Sequence, residues 1–525
     1  MNTKRKTSVR QLIVRPCVPG RRYASRSGAV LVWFAMLILS LLAVTGLVID
    51  VGFLTAGHRH AQNAADAAAM AAAMDLLRGH TPSDAEATAI AFVNDHNDLA
   101  DAPPPVVNIP PVSGPYAGAS NYVEVIVTSP IQTFLIQILP GVADTNDVSA
   151  RAVAGVEFVA GGEGVIALDH GARPGVDVTG GAQVKVLGWI IDNSQGGGLD
   201  ENGEPAWTET ELGENQYAGK VTGNASVQAT RISVVGGVND PEAFQDVDTS
   251  RDANVLYCNQ TPVPDPLIYL PTPNTGNGVL DIFRGEPHVS DGSPELGDQH
   301  ADPVEEGQPA NYVDMTDPEN PVVMLYPGIY ESITVTGGNV VFAPGIYVIR
   351  PARNTENSLK LTGGEVTANG IMFYLTGDDY QVDGTPDSFD ADPDAEPAEY
   401  PPDAGNANFG RVTINASLTL RGIDTEQYEY DLPDAVDQSE FEKFNGMLFY
   451  QRRANQEIIS LEGNASEGSL EGTLYAKWAE FKIAGQGVYN AQFIAGSFDF
   501  SGQGEVIIDY TGSNLAKAPR VFLVE

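Results

Sequence analysis

The chain has 525 residues, with 55 glycines and 35 prolines, a turn-rich composition that argues against a mainly helical fold. Its 29 basic residues against 69 acidic ones give a net charge of −40, the wrong sign for a nucleic-acid binder, which needs a basic face to neutralise phosphates. Two cysteines, Cys17 and Cys258, exclude a disulfide framework and a cysteine-rich zinc site.

The charge is unevenly placed. Residues 1–27 hold eight bases (Lys4, Arg5, Lys6, Arg10, Arg15, Arg21, Arg22 and Arg26) and no acid. The run Gly28 to Ile49 follows without a charged side chain. As a helix of 1.5 Å rise it reaches about 33 Å, enough for a hydrocarbon core of about 30 Å. It is too long for the apolar part of a cleavable export signal, and its helical pattern continues past Asp50. The basic flank predicts an N-terminus held in the cytoplasm and an acidic bulk outside it. Residues 61–73, AQNAADAAAMAAA, hold nine alanines, the best helix former. One helix is expected from about Ala29 to Leu77, ended by Gly79 and Pro82. A second is expected over Ser83–Asn94, with Ser83 and Glu86 as a capping box. The alanines suit either a simple stalk or a surface for packing neighbouring helices.

The run from Arg26 to Leu77 resembles the N-terminal segment of TadG-like proteins of the Tad (tight adherence) Flp pilus-assembly system. The resemblance rests on Arg26 and Gly28, then Asp50, Gly52 and Leu54, then Gln62, Asn63, Ala64, Ala65, Asp66, Ala67, Ala68 and Ala69. Two alternating segments extend it, YVEVIVTSPIQTFL from Tyr122 onward and VSARAVAGV at 148–156, both read as strands. It implies a bacterial membrane protein, single-pass, acting in pilus assembly or surface attachment without a reaction of its own. It also implies pilus-assembly or envelope proteins as partners. The assembly helix would be carried by Gly28, Asp50, Gly52, Gln62, Asn63, Ala64, Ala65, Asp66, Ala67 and Ala68. Pilin-like relatives are cut after a glycine that precedes a glutamate by five residues. Here Gly28 is followed at that distance by Trp33, so the leader is expected to be retained.

From about residue 160 the character changes to short β-rich runs separated by Gly pairs and Asn turns. VTGG or LTGG occurs at Val178, Val335 and Leu361, and PGIY at Pro327 and Pro344. A glycine leading an apolar and aromatic run recurs as GIYVI at Gly345, GIMFY at Gly370, GMLFY at Gly446 and GTLYA at Gly472. The 76-residue gap between the second and third reads as three shorter steps. Such loose periods of short strands mark a stacked solenoid, best matched by a right-handed parallel β-helix, with a β-sandwich as the other reading. The fold class is thus mainly β: a transmembrane pilin-like helix (28–50), an Ala-rich helical stalk (51–100), a small α+β region (101–158) and a β-solenoid (159–515).

Two acidic stretches, 281–319 and 378–405, interrupt the solenoid as solvated excursions. Asp390, Asp392, Asp394 and Glu396 alternate as the oxygen ligands of a calcium loop do. Ala395 and Pro401 stand where such a loop needs glycine and a bidentate carboxylate, so calcium is a weak expectation and no other cofactor or metal is expected. An enzyme acting on polysaccharide is the alternative function, since solenoids can place two carboxylates at controlled separation. No catalytic residue is assigned. The late aromatics Trp478, Phe481, Tyr489, Phe493, Phe498 and Phe500 fit a core better than a sugar-binding strip.

Overall fold

The computed structural model describes residues 27–525 apart from 79, 98, 100–101, 135–144, 207–215, 252, 274–286, 290–298, 302–311, 315–318, 321, 382–406, 416, 431 and 433–435. The basic leader, Asp390, Asp392, Asp394 and Glu396, and most of both acidic stretches lie outside the described residues. The chain divides into two compact units. The first takes residues up to Ala72, Glu86–Ala154 and Leu523–Glu525; the second takes Ala73–Ala85 and Gly155–Phe522.

Helix α1 runs unbroken over Ser27–Leu77. Its apolar and alanine-rich composition favours helix throughout, and the few hydroxyls in the apolar half are satisfied internally. Ser40, Thr45 and Thr55 each donate to the carbonyl four residues back, at 2.8, 2.8 and 2.7 Å. Helix α2 covers Pro82–Ala91, and Phe92–His96 continues it as a wider π-turn. The capping residue is Thr81, not Ser83. Its hydroxyl donates to Asp84 at 2.6 Å, and its N–H donates to the same carboxylate at 3.2 Å. Proline is tolerated at the first helical position because its missing N–H has no partner there, so Pro82 opens this helix. Strands β1 (Val106–Asn108), β2 (Tyr122–Gln132) and β3 (Thr145–Ala160) follow, and the four-stranded sheet they begin is completed by Lys517–Leu523. Both segments read as strands from the sequence are thus strands.

The second unit is mainly β, a 20-stranded sheet among the described residues. Its pairing is overwhelmingly parallel, each strand lying beside the one a full circuit later. The glycine-led repeats are successive rungs of one ladder. Gly345–Ile349 pairs with Ile371–Leu375, Phe373–Leu375 with Phe449–Gln451, and Met447–Tyr450 with Thr473–Tyr475. Because Ile371–Leu375 meets Met447–Gln451 directly, the 76-residue gap is a single circuit with an insertion, not three steps. Alternation along these rungs sorts the side chains to two faces. Tyr347, Phe373, Phe449 and Leu474 belong to the main core, while Val348, Tyr374, Tyr450 and Tyr475 belong to a second apolar cluster on the opposite face. Ring centroids on successive rungs lie 5.3–5.8 Å apart. Phe481, Tyr489, Phe493, Phe498 and Phe500 are also core, and Trp478 is buried, so none of them forms an exposed sugar strip.

Glycine is required where ladders bend. Gly364, of the LTGG run, has φ +81°, and a Cβ there would sit 2.5 Å from the carbonyl oxygen of Gly338 on the adjacent rung. Only a residue without Cβ accepts both conditions.

The order of rungs departs from the order of the sequence. Val165–Ala167 lies between Phe493–Ala495 on one side and Ile190–Asp192 on the other. Val176–Gly180 likewise pairs with Phe498–Gly502 and, through Val176–Val178, with Gly219–Val221. The chain therefore enters its own stack in the middle. It runs outward through Ser226–Val234 to Leu256–Tyr257, and resumes at the far end with Val322–Leu325. From there it returns rung by rung to Glu505–Ile508, which pairs with Gln183–Val186. Between Tyr257 and the far end the chain forms a strap, residues 263–273, laid across the second cluster, where Leu267 and Leu270 are buried. Asn193 fixes its start, donating to the carbonyl of Val263 at 2.7 Å and accepting its N–H at 2.9 Å.

Candidate functional site

Helix α1 has two halves of opposite character. From Val30 to Phe53 its large apolar side chains are exposed, Trp33 and Leu31 at 74% and 72%. This half is long and apolar enough to cross a membrane. Beyond it, Ala61, Ala64, Ala65, Ala68, Ala69 and Ala72 are fully buried. Their spacing of three and four residues puts them on one helical face. In the same unit Ala89, Val93, Val123, Val125, Val127 and Ala152 are buried too, and together these residues form its core. Small side chains let a helix lie close upon a sheet.

The residues read from the sequence as an assembly surface fall into distinct places. Gly28 lies in the first turn of the helix and Gly52 has open space where a Cβ would stand. Asp50 is fully buried and accepts the N–H of Phe134 at 3.0 Å, while Phe53 and Phe134 meet edge to face at 6.1 Å. Gln62 donates to Asp66 at 2.6 Å and to the carbonyl of Arg151 on β3 at 3.1 Å. Asn63 is exposed, Asp66 and Ala67 are half-buried, and Ala64, Ala65 and Ala68 are turned inward, into this chain's own core. The structure brings Asp50 and Gln62 to the sheet and leaves Gly52 and Asn63 outside it.

Sequence reasoning missed the carboxylate that organises this unit. Glu124 on β2 is fully buried. Burial pushes its pKa up, but hydrogen bonds from Ser113, Arg151, the N–H of Val112 and Asn108 outweigh that and hold it at about 2. Arg151 is 2.6 Å away through Nε and also pairs with Glu525. An isolated Glu within an alternating strand was the available signal: in YVEVIV it falls on the face opposite Val123, Val125 and Val127, and buried there it needs several donors.

On the second unit the outer surface bears a ladder of charges. Asp499 and Asp177 are register partners on adjacent strands. Lys482 lies 3.5 Å from Asp499 and Lys220 2.9 Å from Asp177. Glu480 nearby is pushed above its ordinary pKa, by burial first and then by Asp499. The ladder brings carboxylates together, as the enzyme alternative requires, and pairs two of them with lysines. No group of three or more metal-ligating side chains occurs among the described residues.

With this geometry in place, comparison with known proteins is informative for the helix. Residues 28–75 match the family model described as putative Flp pilus-assembly TadE/G-like. No curated protein matches the chain. Among solved structures, the competence-associated pilin ComZ from Thermus thermophilus aligns with 10% identity and a TM-score of 0.20, over 80% of this chain and 88% of that one; so low a score carries no argument. The match spans the exposed apolar half of α1 and all of the buried alanines from Ala61 to Ala72. The chain's N-terminal segment, residues 28–75, thus matches a TadE/G-like Flp pilus-assembly segment, within a helix long and apolar enough to cross a membrane.

Proposed function

We propose that this is a non-catalytic, surface-exposed structural protein of TadG-like type. It acts in Flp pilus assembly, adhesion or envelope anchoring, with residues 1–27 in the cytoplasm and the acidic bulk outside. The second unit is then a right-handed parallel β-helix that serves as the projecting body. One observation carries this reading: within a single TadE/G-like helix, an exposed apolar half suited to lipid continues into an alanine face seated in a folded unit. Such a helix anchors a rigid body to a membrane with no flexible joint between the lipid-facing turns and the packed ones. A polysaccharide-active enzyme is the less favoured reading, because Asp499 and Asp177 are each neutralised by a lysine instead of standing free to act as acid and base.

Protease treatment of spheroplasts tests the orientation. Loss of the 159–515 region with survival of a membrane-embedded N-terminal fragment is the expected result. A bulk that is degraded only after detergent opens the membrane overturns the proposal. Co-purification of the detergent-solubilised chain with pilus-assembly components tests the role, and purification alone counts against it.

A further inference from the structure

The strap is held by a buried charged cluster whose chemistry goes beyond packing. Asp265, on the strap, and Lys477, on the ladder beneath it, have side chains only 4% and 6% exposed, with Nζ 3.5 Å from Oδ2. That is longer than the roughly 2.7–2.9 Å of a good charge-assisted hydrogen bond. Two further donors grip the same carboxyl. The Tyr475 hydroxyl donates to Oδ2 at 2.8 Å, and the N–H of Leu267 donates to Oδ1 at 2.9 Å. Arg453 in turn fixes Tyr475 by donating through Nε to its hydroxyl at 2.9 Å. Through Nη2 it also clamps the carbonyls of Leu267 and Leu270, at 2.8 and 2.9 Å. An amine, a carboxyl group, a hydroxyl on one carboxyl oxygen and a backbone N–H on the other are thus held together away from water.

We propose that Lys477 and Asp265 condense to an intramolecular amide that staples the strap to the ladder. The ammonium first passes a proton to the carboxylate, leaving a neutral pair. Nζ then attacks Cγ and the new C–N bond forms. Negative charge gathers on Oδ1, where the Leu267 N–H receives it. The Cγ–Oδ2 bond breaks, and Oδ2 leaves as water. Tyr475 hands it a proton and regains one from the nitrogen. Carboxylate plus ammonium become amide plus water, so no oxidant, nucleotide or metal is needed. The driving force is local. Two ions removed from water are costly even when paired, and condensation abolishes both charges where they are most expensive. Fixed proximity supplies the rate.

Peptide mapping of the purified full chain tests the bond. After denaturation and trypsin, the expected product is a linked species joining residues 252–284 to 454–482, lighter than the two peptides together by one water and uncut after Lys477. Lys477→Arg, which keeps the positive charge but offers no comparable nucleophile, is expected to abolish it while the circular dichroism stays native. Recovery of linear peptides ending at Lys477 with no linked species overturns the proposal. So does a linked species that persists in Lys477→Arg.

Discussion

Two buried carboxylates show how far the surroundings of a single residue decide its worth. Glu124 meets four donors and stays ionised. Asp192 is fully buried and receives one hydrogen bond, from the N–H of Ser194 at 2.9 Å, while its Oδ2 has no hydrogen-bond partner among the described residues. Burial therefore pushes Asp192 up to about 8. The sign of its contribution follows. In the unfolded chain this group ionises near its ordinary value of 3.8, so folding must keep or restore a proton as pH rises. Its penalty is absent below about pH 4, grows through neutrality and levels off above about 8. Asp192→Asn should remove the titration at the cost of an unpaired amide. The variant is expected to gain on the order of 1–2 kcal/mol over the wild type at pH 8 and nothing at pH 4. Urea titrations across that range measure it, and a constant difference between the two proteins would contradict the assignment.

Among the elements, local sequence was legible where the physical rule was local. The continuous α1, the strands β2 and β3 and the glycine-led rungs all announce themselves through composition and alternation. The cap of α2 was misplaced because Ser83–Glu86 and Thr81–Asp84 both satisfy the pattern, and the preference for proline at the first helical position decides between them. The 76-residue gap misled because an insertion of unmarked length hides a single circuit. The alanine run was read as a simple stalk or as a surface for packing neighbouring helices, and composition does not show the inward face that it takes. Burial does: Ala65 has no exposure. Ala65→Leu is accordingly expected to overpack the first unit and destabilise it by about 1–3 kcal/mol. Asn63→Leu, at an exposed position, should leave stability within about 0.5 kcal/mol. Thermal unfolding of the two variants side by side checks the contrast, and equal losses would place the alanine face elsewhere.

At the level of the whole molecule, the order of rungs was not legible at all. Nothing near residue 163 in the sequence says that it will lie against residue 493, because the pairing is set by contacts more than 300 residues apart. The carbonyl of Glu163 accepts from Gln492 at 2.8 Å, and the carbonyl of Gly162 accepts from the Tyr510 hydroxyl at 2.6 Å. These contacts also make the connectivity testable. Residues 159–258 alone leave Val165–Ala167 and Val176–Gly180 as open edges, a template for misassociation, and are expected to be unfolded or aggregated. A rearranged chain that begins before Val322 and joins Asp509 to Gly162 by a short linker is expected to give the circular dichroism of the native second unit. Failure of that chain beside a well-behaved 159–258 fragment would show the interleaving to be incidental.

An array threaded from its midpoint also answers traction in an unusual way. A ribbon of rungs hauled from one extremity unzips a rung at a time, at low force. Here the leads in and out, at residues 163 and 508, sit on neighbouring rungs in the interior of the pile. A tug through them must wrench apart several ladders at once before anything frays, so the tether of this protein is placed where its body resists most.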